Sequence, residues 1–360
     1  MCNPYKTRSA LIIAQAMAIL MLNLSVSAAV DPPAVGVKDP IHQPATVSTL
    51  VARSVLIGVT RAGPRLVAVG ERGHILTSEN QGRSWQQAHV PVRVTLTAVY
   101  FADARIGWAV GHSGVILQSI DGGLNWHKQL DGGQANRMIH DAAQASGNAV
   151  LIARAARFVQ DGPDKPFFAV HFSDLMHGLV VGAYGLAFET SDGGLHWQPM
   201  LEQIPNVDER HLYAIHETRD GLYLAGEQGV FFRKSPQQPK FEAVATSFHS
   251  TVFDLLNAPD GALLAFGLGG KVHRSTDQGR HWESSEPAGR ASLTAGVVVQ
   301  AGVVLANEAG QLLLSTDSGR SFKTVAAGQP FPAAGLTATV DGQLVVVGPL
   351  GVQAVAAPLN

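Results

Sequence analysis

Ser119-Ile-Asp121-Gly-Gly123-Leu-Asn-Trp126 is the stretch whose reading decides the fold. A hydroxyl residue, an aspartate two places on, a glycine two further and an aromatic at the eighth position form a unit with a physical logic. The carboxylate accepts backbone N–H groups inside a tight turn. The glycine supplies the positive φ that the turn needs. The aromatic leaves on the next strand and carries a large apolar surface to be packed. The unit returns as Thr190-Ser-Asp192-Gly-Gly194-Leu-His-Trp197 and as Ser275-Thr-Asp277-Gln-Gly279-Arg-His-Trp282. It returns again as Ser315-Thr-Asp317-Ser-Gly319-Arg-Ser-Phe322, and as Ser78-Glu-Asn80-Gln-Gly82-Arg-Ser-Trp85 with Asn for Asp. Asn80, Asp121, Asp192, Asp277 and Asp317, with Trp85, Trp126, Trp197, Trp282 and Phe322, are therefore read as structural.

A second marker extends the count. A Gly-x-x-Gly step closes an apolar run at Gly70, Gly111, Gly182, Gly226, Gly267 and Gly348, and Asn307 opens the same step at Gly310. The starts lie 41, 71, 44, 41, 40 and 41 residues apart. A period near 40 residues of short β-rich runs is a propeller blade. The expected fold is all-β, a seven-bladed β-propeller with Asp-box (BNR-like) repeats and one partly helical insertion. The fourth repeat has lost its box: Lys234-Ser-Pro236-Gln-Gln-Pro-Lys-Phe241 stands there, with Phe241 in the aromatic place. The seventh repeat ends after its third strand, and residues 45–50 are expected to supply the fourth.

The 71-residue spacing carries about 30 extra residues, at about 131–166, rich in Ala and expected to be helical in part with a break at Gly147. This insertion joins an outer strand to the next inner strand, so it falls on the face of the Gly-x-x-Gly turns. Long insertions on a rigid scaffold tend to carry function. The candidate partner-binding residues are accordingly Glu71, Arg72, His112, Tyr184, Glu227, Gln228 and Glu308 at the turns, and Arg137, His140, Arg154 and Arg157 in the insertion.

The remaining composition narrows the class. Net charge is −2 and no basic stripe is present, so nucleic acid is not expected. Lys6 and Arg8, the apolar run 10–22 and Val26-Ser27-Ala28 predict a signal peptide over 1–28, followed by a linker over 29–44 and the propeller over 45–360. The only cysteine is Cys2, so a mature chain carries no disulfide and no thiolate site. A monomer in the periplasm or an equivalent exported space is expected.

The phrase Phe101-Ala-Asp103-Ala-Arg-Ile-Gly107-Trp108-Ala-Val-Gly111-His-Ser-Gly114 is echoed by Phe172-Ser-Asp174-Leu-Met-His-Gly178-Leu-Val-Val-Gly182. With the boxes and the count of seven, it resembles the photosystem II stability and assembly factor propellers of thylakoid lumens and their relatives in non-photosynthetic bacteria. The resemblance spans residues 48–360. It implies an exported, non-catalytic propeller that assists assembly of a membrane complex; the inserted segment leaves an envelope transporter or another membrane complex as the alternative protein partner. It also implies an arginine patch on the central face; of the turn pairs here, only Glu71-Arg72 carries a basic residue.

The alternative is a carbohydrate-active propeller of the sialidase-like glycoside hydrolases. That chemistry needs a Tyr nucleophile, acidic helpers and clustered arginines. No Arg-Ile-Pro start occurs, and Tyr100 and Tyr213 fall in inner strands, where packing accounts for them. Tyr184 with Glu71 or Glu227 is the one constellation that shares a face. Asp103, Asp174 and Asp260 fall in turns on the opposite face. The 14 histidines show no ligand spacing. No catalytic residue, metal or cofactor is expected.

Overall fold

Why the second strand of each repeat reads as an unbroken apolar run becomes plain in three dimensions. Arg65–Gly70, Gly107–Gly111, Gly178–Gly182 and Leu263–Gly267 are buried nearly end to end, because a neighbouring sheet covers each face. The structure, a computed structural model, describes residues 39–285, 289–325 and 329–356. The expected signal peptide with Cys2, and residues 29–38 of the expected linker, lie outside the described residues. Seven antiparallel sheets follow one another along the chain, each a meander with sequential strands adjacent. Their inner strands are Leu56–Ala62, Leu96–Phe101, Phe167–Phe172, Leu212–Thr218, Val252–Asn257, Leu293–Val299 and Gly335–Ala338. Each inner strand packs beside the next, and the last meets the first, so the chain is a closed seven-bladed β-propeller.

The eight-residue motif makes the turn expected of it. In blade two Asp121 Oδ1 accepts from the N–H groups of Leu124 (3.1 Å) and Asn125 (3.0 Å). Ser119 Oγ donates to Asp121 Oδ1 at 2.8 Å and accepts from Gly123 N at 2.9 Å. Asn80 does the same work in blade one, its Oδ1 accepting from Ser84 N at 2.9 Å. Trp126 then packs edge-on against Phe101, ring centroids 5.9 Å apart, within a cluster that includes Val67 and Val69 of blade one. Each motif thereby plugs the groove on the preceding blade.

The phrase shared by blades two and three also has a steric cause. The Phe172 ring lies over Gly178, where a Cβ would come within 2.3 Å of it, and Phe101 lies over Gly107 in the same way. Asp103 and Asp174 accept from two backbone N–H groups each and close the turn between.

One expectation is overturned. The last sheet has three strands among the described residues, and 45–50 does not add a fourth. Ala45 N donates to Val90 O, Gln87 Nε2 to Thr46 O and Ser48 N to Gln87 Oε1, each at 3.0 Å. The Gln87 side chain thus holds this stretch along the outer edge of blade one. The ring closes through packing instead: Leu56, Ala68 and Leu76 of blade one bury against Val347 of blade seven.

The insertion forms α1 (Gly132–Ser146) and α2 (Ala149–Asp161). Asp131 and Gln134 make a reciprocal capping box, Gly147 ends α1 at φ 66°, and Asn148 caps α2. Ala135, Ile139 and Ala143 of α1, with Leu151, Ala155 and Phe158 of α2, share one buried cluster with Trp108 and Phe188. The helix pair is therefore built into the joint between blades two and three.

Candidate partner-binding face

Six of the seven inner strands carry a register irregularity at their second residue: Ile57, Thr97, Phe168, Tyr213, Phe253 and Thr294. A bulge re-aims its side chain, and here it points toward the next blade. Thr97 Oγ1 donates to Phe167 O of blade three at 2.6 Å, and Thr294 Oγ1 to Ala333 O of blade seven at 2.8 Å. Between blades three, four and five the link is aromatic. Phe168 stacks on Tyr213 at 5.0 Å and 27°, and Tyr213 meets Phe253 edge-on at 5.6 Å. All three are half-buried. Tyr213, expected to pack, packs in an aromatic ladder on the Gly-x-x-Gly face, into which the bulge turns its ring. Burial, then the nearby Glu227 carboxylate, raises its phenol pKa above the ordinary value.

The turns assemble the rim of this ladder. Tyr184 sits at φ 54° in its turn, the left-handed conformation that leaves its ring 49% exposed. His211 Nδ1 accepts from Tyr184 N at 2.8 Å, so the neutral ring carries its proton on Nε2. The two rings stand edge to face at 4.7 Å. From the insertion, Arg154 Nη2 donates to Tyr184 O at 2.8 Å, and Glu209 pairs with Arg154 (3.5 Å) and Arg157 (2.5 Å). Burial lowers the Arg154 pKa, with Glu209 opposing that shift. The Arg157 guanidinium is exposed beyond its bond to Glu209.

The structure places the other sequence candidates less uniformly. Glu71, Glu227 and Glu308 accept from the backbone N–H groups of Val55 (3.2 Å), His211 (3.2 Å) and Ser292 (2.9 Å), so each clamps the entry to its own blade's inner strand. Arg72, His112 and Gln228 are exposed at their turns. Arg137 lines a separate groove with His42, Asp131 and Asp164. His140 contacts its neighbour Asp141 at 3.2 Å. Tyr184, Arg154 and Arg157 are thus brought together, while Arg72, Glu308 and Arg137 stand apart. Sequence reading missed Phe168, His211, Phe253 and Glu209. The signal was present in the aromatic second position of three consecutive inner strands. On the opposite face His177, His196 and His281 bond to Asp174, Asp192 and Asp277 respectively, and no cluster able to hold a metal occurs among the described residues.

The chain, a closed seven-bladed ring with an aromatic, polar-rimmed face, is similar to the photosystem II assembly factor propellers. The comparisons carry that likeness to particular proteins: the family model for the photosynthesis system II assembly factor YCF48 matches residues 77–155. The photosystem II assembly protein Ycf48 of Thermosynechococcus vestitus is 24% identical over 261 residues, covering 66% of this chain and 74% of the relative. A solved structure described as YCF48 bound to D1 peptide superposes with a TM-score of 0.62 at 18% identity, covering 85% of this chain and 94% of that one. A streptogramin B lyase superposes with a TM-score of 0.66 at 12% identity, covering 87% of this chain and 96% of that one. At such identities the solved structures speak for the fold alone, and one of them is an enzyme.

Proposed function

We propose that this chain is a non-catalytic propeller that grips a segment of a membrane-complex protein across its Gly-x-x-Gly face. The observation that carries the reading is the ladder Phe168, Tyr213 and Phe253, continued by Tyr184 and His211 and bordered by Arg157. Half-buried rings offer contact area at low entropic cost, and Tyr and Arg are the residue types that dominate binding energy. The named relative is an assembly protein, and a similarly folded structure holds a peptide; both favour protein binding over catalysis. The remaining turn residues Glu71, Arg72, His112, Gln228 and Glu308, with Arg137 and His140, would form the periphery. Export completes the reading: cleavage after Ala28 would release a monomeric chain into the periplasm or an equivalent lumen, with residues 29–44 leading into the propeller. No helix among the described residues is long and apolar enough to cross a membrane.

The test is a crosslinking pull-down from native envelope membranes with the parent chain and a Tyr184→Ala, Arg157→Glu double variant. Both substitutions are at exposed side chains, so folding should survive, as circular dichroism can verify. Recovery of a membrane-complex subunit by the parent and its loss in the variant is the expected outcome. Equal recovery by both would remove this face from the function.

A further inference from the structure

At five blade junctions the motif turn of one blade is tied to the blade before it, the closing one by Val340 N of blade seven donating to Gln81 Oε1 (3.2 Å). Arg65 Nη1 donates to Asp121 O (2.9 Å) and Gly122 O (2.7 Å), and Gln118 Nε2 donates to Gly193 O (2.9 Å). Arg233 Nη2 donates to Gln278 Oε1 (2.8 Å), and Arg274 Nε to Ser318 O (3.0 Å). In three of these the donor is the third residue of the third strand: Gln118 in Ile116–Ser119, Arg233 in Phe231–Lys234 and Arg274 in Val272–Ser275. Among the described residues the junctions between blades three and four and between blades six and seven lack this tie, and the first departs from the rule twice. Blade four has no motif turn to offer, since residues 234–241 depart from it. The third residue of the third strand Ala187–Thr190 is Glu189, an acceptor where the other three have donors.

The consequence is a cleft. A cavity of about 580 Å³ lies at this junction, lined by Leu179, Glu189, Gln198, Leu222, Lys234 and Phe241 among others. The Glu189 side chain is half-buried, and its carboxylate has no hydrogen-bond or ion-pair partner among the described residues. Phe241 still seals the core beneath, at 4% exposure, so the opening does not breach the fold. A volume of this size suits a short chain segment, and a half-buried carboxylate without a partner favours a cation or a strong donor.

We infer that the junction of blades three and four is a second binding site, for a short glycine-containing peptide turn bearing a lysine or arginine. Such a turn would take the place of the missing motif, with its basic side chain on Glu189. The partner is a protein loop, and the site lies away from the aromatic ladder, so it stands or falls independently of the reading above.

The experiment pans a phage-displayed random octapeptide library on the full chain, then measures synthetic winners by fluorescence anisotropy. Three comparison proteins are used: Glu189→Gln, Tyr184→Ala, and a refilled chain in which residues 234–241 are replaced by the sequence of 275–282. Enriched peptides should carry Gly with Lys or Arg. Their affinity should fall at least tenfold on the refilled chain and at least fivefold on Glu189→Gln, and should be unchanged on Tyr184→Ala. Enrichment of peptides without a basic residue, no enrichment at all, or equal binding by Glu189→Gln would overturn the proposal. Should the refilled chain fail to fold, the Glu189→Gln comparison decides alone.

Discussion

Gly178 shows how much a single absent methyl can settle. Its φ is ordinary, yet the Phe172 ring occupies the space a Cβ would take. Gly178→Ala is expected to destabilise the chain by about 1–3 kcal/mol, the cost of overpacking a filled core. Urea unfolding reads this directly, and Phe172→Leu made in the same background should recover part of the loss by clearing the ring. Trp126 is the complementary case, an aromatic that fills the joint of blades one and two at 3% exposure. Trp126→Ala should cost about 3–5 kcal/mol, and an unchanged melting temperature would contradict its packing role. Asp254 is a residue whose charge, not its shape, is costly. It lies on the inner strand Val252–Asn257, and burial pushes its carboxyl up to about 7. A carboxyl held protonated in the native state gives up stability as pH rises from its unfolded value toward 7. Asp254→Asn should therefore raise the melting temperature at pH 8 and leave it little changed at pH 4.

At the scale of elements, strands and turns were legible because each rests on local chemistry. The Gly-x-x-Gly steps mark close approach: a Cβ on Gly111 would lie 2.2 Å from Thr95 O, so the position excludes other residues and shows in the sequence. The break at Gly147 was legible for a different reason: α1 ends there in the left-handed conformation, φ 66°, that glycine adopts freely. Two things were not. The course of residues 45–50 depends on one side-chain amide, Gln87, reached 41 residues later along the chain, and no local pattern encodes it. The aromatic ladder depends on bulges, which shift a side chain from one face to another without changing composition. His211 entered the site only because a turn backbone N–H in another blade found its ring. The helix pair offers a cleaner expectation. Asp131→Ala removes the N-cap of α1 and should cost about 1 kcal/mol. The loss should appear as faster amide exchange in 132–135, with the distant blades unaffected.

For the whole molecule, pH response is a sum of opposed groups. Burial pushes His216 and His273 down to about 4. Histidines that stay neutral in the native state but charge on unfolding withdraw stability as pH falls from about 6.5 to 4. Over that window Asp254 acts in the other sense. The melting temperature of the parent chain should therefore fall between pH 6.5 and 5 less steeply than the two histidines alone would dictate, and the Asp254→Asn chain should expose the steeper histidine slope. Below that range a further loss sets in, because Asp192, held at about 2 by the backbone N–H and ring of His196, keeps its charge until then. The ring as a whole is also mechanically uneven. Between blades two and three two helices thicken the joint; between blades three and four the motif tie is absent among the described residues, and the seam is held by His171 on Glu217 and by Phe241 N on Gln203 O. A closed ring under thermal strain is expected to part first at a seam without the motif tie, and the junction of blades three and four is one of the two that lack it. Hydrogen exchange would see it as a shared, low opening energy for the edges of blades three and four, long before the rest of the circle yields.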